Sequence, residues 1–149
     1  MRVAIFYFLF ASCTLYALWR GGAPERTIAI SYFATWVLDR SVHYFTPAEY
    51  AEMDPGHLVI DFIIWLLFFV VAMRARRFWP LCLVSLQTIA LVAHTAKFMD
   101  VTIVPRAYFV MQYATSFPVL ITLAIGTYCH QRRLTIYGTD PSWRSSLSR

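Results

Sequence analysis

Residues 57–73 read HLVIDFIIWLLFFVVAM, an apolar run interrupted by one aspartate and opened by one histidine. Wound as a helix at about 1.5 Å per residue it reaches ~25 Å, close to the thickness of a bilayer's hydrocarbon core. A helix that is apolar on every side belongs in a large protein core or in lipid. With 149 residues the chain has room for one domain and no large core. The stretch therefore points to a membrane span.

Working outward, four more apolar runs flank this one. They cover residues 3–19, 27–45, 79–99 and 107–129. The composition agrees, with 59% hydrophobic residues, 17% aromatics and a mean hydropathy of +0.55. Charged residues make up 14% of the chain, against about a quarter in soluble domains. The expected fold is all-α: a bundle of five transmembrane helices over residues 1–130, followed by a basic, partly irregular cytoplasmic tail over 131–149.

The breaks carry helix punctuation. Gly21, Gly22 and Pro24 separate the first two runs. Thr46-Pro47-Ala48-Glu49 has the capping-box pattern, so Pro47 to Met53 reads as a short surface helix, with Asp54 available to cap the next span. Pro80 opens the fourth run, Pro105 precedes the fifth, and Pro118 falls inside it, where a kink is expected. Arg2 ahead of an apolar run, with Phe10-Ala11-Ser12-Cys13 beyond, also fits a cleavable leader. The run continues unbroken to Trp19, which favours a retained span.

The net charge of +5 does not form a nucleic-acid surface. Arg74, Arg76 and Arg77 fill one break, and Arg132, Arg133, Arg144 and Arg149 follow the last run, whereas Glu49, Glu52 and Asp54 lie in the break between runs two and three. With basic residues on the cytoplasmic side, the N-terminus lies outside and the C-terminus inside. Cys13, Cys82 and Cys129 lack metal-site or redox spacing and read as small apolar packing residues.

Ionisable residues within spans are costly and mark function. Counting ~1.5 Å per residue from the outer ends of the runs, Asp39, Asp61, His94 and Gln112 lie about 6–9 Å deep, on four helices. His43, His57, Lys97, Asp100 and Arg106 sit just above them. Asp39 and His43, and likewise His57 and Asp61, are four apart and share a face. Gln87, His94 and Lys97 share a stripe of the fourth helix. The bland alternative is structural pairing, Arg40 with Asp39 or Asp61 and Lys97 with Asp100. The inner half shows almost nothing comparable, and His130 reads as an ordinary interfacial residue.

Taken as one layer, Asp39, Arg40, Asp61, His94 and Gln112 suit the binding of an ion, a small polar solute or a partner helix. The leading expectation is a non-enzymatic accessory or transport-type protein, working as a homo-oligomer or as a subunit of a larger membrane complex. Two alternatives use the histidines. His43, His57 and His94 supply ligands for a metal ion that could activate water in a membrane-embedded enzyme. Alternatively, His43 and His94 could hold haem for electron transfer.

Leu123-Ala124-Ile125-Gly126-Thr127, Arg132-Arg133-Leu134 and Asp140-Pro141-Ser142-Trp143 carry a resemblance confined to the last run and the tail. In these residues the chain resembles short multi-pass membrane proteins of alphaproteobacteria. The resemblance implies a bacterial inner membrane and carries no activity with it.

Overall fold

A computed structural model describes residues 2–45, 55–99 and 105–144, with side chains over 4–41, 56–96, 99 and 115–144. The described chain is helical: α1 Arg2–Arg20, α2 Ala23–Phe45, α3 Pro55–Arg74, α4 Trp79–Met99 and α5 Pro105–Tyr137. The expected surface helix at Pro47–Met53 and the cap at Asp54 lie outside the described residues.

Local chemistry sets the helix ends. α1 closes with Arg20, a cation where the helix dipole favours one. The Gly21 amide then donates to the Ala17 carbonyl at 2.9 Å. A Cβ on Gly21 would be driven into that same carbonyl oxygen, so only glycine fits the corner. α2 starts with Pro24 and Glu25 in its first turn, a rigid φ and an anion at the positive end of the dipole. α5 runs through Pro118 to Tyr137 and stops at Gly138, whose φ of 72° makes the left-handed cap. The Gly138 amide donates back to Leu134 at 2.9 Å.

Successive helices run antiparallel, and α5 returns to pack on both α1 and α2, closing a ring. α1 and α5 are therefore parallel neighbours. Phe6 meets Phe117 near one end with ring centroids 5.5 Å apart, and Gln131 donates to the Arg20 carbonyl at the other. The core draws on all five helices through Ala17, Ile28, Phe68, Leu83 and Leu123, with Phe10, Cys13 and Leu120 extending it. Trp79 lies against Gly126, where a Cβ would come within 2.6 Å of its indole ring, so the seat of this indole on α5 requires glycine. All three cysteines are free, and Cys13 packs as an apolar core residue.

Large apolar side chains are also exposed on the outside of the ring. They include Phe8 and Trp19 on α1, Phe33 on α2, Phe62 and Leu66 on α3, Val92 on α4, and Ile125 on α5. By length and composition α3 over Gly56–Arg74 and α4 over Trp79–Ala96 can cross a membrane, while Ala4–Arg20 is a shorter apolar helix. The apolar windows of α3 and α4 are only 28% and 33% buried in the bundle, where the core helix of a soluble fold would be mostly covered. α2 misses the same standard because charges sit near both ends, at Glu25 and Arg26 and again at Asp39 and Arg40.

In the tail expected to be partly irregular from residue 131, α5 continues to Tyr137, and residues 138–144 fold back onto the connector between α3 and α4. Ala75 and Trp143 form an antiparallel bridge. The Arg144 amide donates to the Arg74 carbonyl at 2.8 Å, and the Arg76 amide to Ser142 at 3.3 Å.

Candidate functional site: carboxylate clusters at the two ends of the bundle

Antiparallel packing brings the start of α1, the ends of α2 and α4 and the start of α3 to one end, here the first end. Two of its carboxylates each meet a histidine from a neighbouring helix. Asp61 on α3 accepts on both oxygens from α4: Gln87 Nε2 reaches Oδ1 at 2.9 Å, and His94 Nε2 lies 2.8 Å from Oδ2. A carboxylate can only accept, so Nε2 carries the proton and His94 is fixed in that tautomer or doubly protonated. Gln87 and His94 are seven apart, two helical turns, which puts both on the α4 stripe that faces Asp61. His94 is wholly covered, whereas the Asp61 side chain keeps 22% of its surface open. Tyr32 of α2, hydrogen-bonded to Ser116 of α5, lies near enough to feel the Asp61 charge.

The second pair is looser. His57 Nδ1 lies 2.9 Å from Asp39 Oδ1, with side chains 32% and 27% exposed. Arg40 finds its partner on α1. It donates to the Tyr7 hydroxyl on α1 and places its guanidinium 5.9 Å from the centre of that ring. Of the residues singled out in the sequence, Asp39, Arg40, Asp61 and His94 all lie at this end, and among the described residues Asp61 meets His94, Asp39 meets His57 and Arg40 meets Tyr7. The side chains of His43 and Gln112 lie outside the described residues. Among the described residues no three His, Cys, Asp or Glu side chains converge on a point where a metal ion could sit, and His57 and His94 face different carboxylates.

The opposite end corrects one sequence expectation: His130 is not an ordinary interfacial residue but a buried member of a charged cluster built from the breaks between the runs and from the tail. Glu25 of α2, with no exposed side-chain surface, pairs with Arg77 of the α3–α4 connector, itself 2% exposed. Arg77 Nη2 also donates to Asp140 Oδ2 at 2.8 Å. His130 Nδ1 lies 2.6 Å from the same oxygen, and Arg133 Nε donates to Oδ1 at 3.0 Å. The short His130–Asp140 contact needs a proton on Nδ1, so the 3.0 Å approach of Arg77 Nη2 to that nitrogen is proximity between two donors sharing one acceptor. Gly22 makes room here, since a Cβ would stand 3.0 Å from both Arg77 Nη2 and His130 Cε1. Burial raises the Asp140 pKa. The hydrogen bonds from Arg133 and His130 and the charges of Arg77 and Arg133 outweigh that effect and hold it below its ordinary value.

Between the two ends no acidic or basic side chain interrupts α1 from Val3 to Trp19, α2 from Thr27 to Leu38, α3 from Phe62 to Met73 or α4 from Trp79 to Ala93. Thr35 there bonds to its own helix at Ser31, 3.0 Å away, and Thr127 of α5 to Leu123 at 2.9 Å. From Glu25 to Asp39 along α2 is about 21 Å, so the clusters are separated by most of a hydrocarbon thickness.

No known protein family, curated protein or solved structure matches this chain.

Proposed function

We propose that the chain is a non-enzymatic multi-pass protein of a bacterial inner membrane, with all five helices crossing, the N-terminus outside and the C-terminus cytoplasmic. Its first end binds a proton or a small cation at Asp61, as an accessory or transport-type subunit. The membrane reading rests on the apolar side chains exposed around the ring and on charges gathered at its two ends. The orientation rests on the arginines of the α3–α4 connector and of the tail, which lie at the same end.

The observation that carries the binding role is the Asp61–His94–Gln87 arrangement. One face of the carboxylate is fixed by two donors from α4, and part of it stays open. An ionisable side chain within an apolar helix is costly and marks function, and a carboxylate that exchanges a proton or ion needs an open side. Among the described residues no charged side chain bridges the two ends, which favours a binding subunit or an oligomer over a solitary channel.

Two measurements test this. Reporter fusions after residues 22, 50, 76, 102 and 144 should alternate in side, with 22, 76 and 144 cytoplasmic; two neighbouring fusions on one side would remove a span. Melting of the purified protein in detergent should rise with added Na⁺, K⁺ or Ca²⁺, and Asp61→Asn should abolish the response. An unchanged response in Asp61→Asn, or no response in the wild type, sinks the binding role and leaves the topology standing.

A further inference from the structure

At the second end, Asp140 belongs to a segment whose hold on the bundle is slight compared with that of the residues it touches. Gly138, exposed and at φ 72°, forms the hinge, with nothing within 4 Å of where a Cβ would stand. Beyond it, the backbone attachments are the two hydrogen bonds to the α3–α4 connector. The three donors that converge on the Asp140 carboxylate, by contrast, are built into the bundle. Arg77 is locked to the buried Glu25, and His130 and Arg133 stand on α5, three residues apart on one face. Donors also remain unused: Arg77 Nε and Arg133 Nη2 are buried without a hydrogen-bond partner among the described residues. With Asp140 in place, two guanidinium charges meet two carboxylates. Without it the cluster carries an uncompensated positive charge and three convergent donors.

We propose that Arg77, His130 and Arg133 form an oxyanion site at the second end, filled in this structure by the chain's own Asp140 carboxylate, and that a phosphate group displaces the tail to occupy it. The tetrahedral oxygens of a phosphate accept from Arg77 Nη2, His130 Nδ1 and Arg133 Nε and can also take the spare Arg133 donor, which a two-oxygen carboxylate leaves over. The buried Glu25 pairs with Arg77 and keeps the net charge of the cluster low enough to favour one anion over several. The phosphate can be a free ion or the headgroup of an anionic lipid in the adjoining leaflet. Only the lipid source depends on the membrane reading.

Because the tail competes at the millimolar effective concentration of a short tether, the wild type should bind weakly and a tail without its carboxylate tightly. The experiment titrates inorganic phosphate into full-length wild type, Asp140→Asn and Asp140→Asn/Arg133→Gln in detergent, with chloride as control and helix content checked by circular dichroism. The same three proteins are then assayed for retention of phosphatidylglycerol against phosphatidylcholine in nanodiscs. Asp140→Asn should bind at least tenfold more tightly than wild type, and Arg133→Gln should reverse the gain while leaving the Glu25–Arg77 pair intact. A gain with inorganic phosphate marks a soluble ligand, and a gain confined to phosphatidylglycerol marks the lipid. Equal affinity of wild type and Asp140→Asn in both assays, or a gain that survives Arg133→Gln, overturns the proposal.

Discussion

The two ends of the bundle use the same residue types to opposite effect. At the second end Glu25, Arg77 and Asp140 are nearly sealed, each depending on another for its charge to be tolerable, and His130 is covered beside them. At the first end the carboxylates meet histidines in separate pairs, and Asp39, His57 and Asp61 all keep open surface. A closed network holds chain segments together but has little freedom to exchange partners. An open pair contributes less to stability and can trade a proton or an ion with its surroundings. Burial, more than residue type, separates the end that fastens the fold from the end suited to binding.

The largest effect should come from Arg77→Met. It strands the Glu25 carboxylate in a fully covered position, and breaking a buried pair in this way costs about 3–5 kcal/mol. Adding Glu25→Leu should recover most of that loss, because replacing both members removes the uncompensated charge. Unfolding in detergent micelles measures both variants. If Arg77→Met costs less than ~1 kcal/mol, the second end is not a lock and the contrast collapses.

Asp61→Leu comes next. It leaves the covered His94 and Gln87 without their acceptor, a penalty of about 1–3 kcal/mol, smaller than at Arg77 because the carboxylate itself is partly open. In cells the same change should abolish function where Glu52→Gln does not. Equal tolerance of the two would remove the case for Asp61 as a working residue. Asp61→Asn should keep the fold and lose the ion or proton response, and the difference from Leu separates holding the helices together from binding.

The first end was legible in the sequence because Asp61 and His94 interrupt long apolar runs, where a charge stands out. Counting residues from the run ends placed them at one depth, and the structure joins them at 2.8 Å. Their partners were not legible. Arg40 goes to Tyr7, across a helix pair whose rotation no spacing within α2 reveals. The second end was missed because its members lie in the breaks, where arginines read as orientation signals and acids as solvated turns. Glu25, Arg77 and Asp140 are far apart in sequence and become buried only when the tail folds back. One signal was present: Glu25 and Asp140 are acids in otherwise basic breaks, and an acid among arginines invites the question of which one it meets.

A change of pH should act on the second end through Asp140. Its pKa in the folded chain lies below the ordinary 3.8, so the docked tail is stabilised throughout the range above that value. That contribution falls away only as the pH drops below 3.8 and the carboxylate protonates. Hydrogen exchange at the Arg76 and Arg144 amides, corrected for intrinsic rate, reads the docking directly. Protection should be constant from neutral pH down to mildly acid conditions and lost at the acid extreme. Loss of protection already near neutrality would show that the Asp140 carboxylate is not what holds the tail.

The smallest effect is expected at Asp39, and it is the most discriminating within the first end. Its pair with His57 is about a third exposed, so Asp39→Asn should cost no more than ~1 kcal/mol. The change keeps the side chain's size and an acceptor for His57 while removing the charge. If Asp61 alone forms the binding group, the ion or proton response of the variant should match the wild type. If the response weakens together with that of Asp61→Asn, the two carboxylates share one field. The first end then acts as a single layer spanning α2, α3 and α4, not as an isolated Asp61–His94 site beside a neutral neighbour.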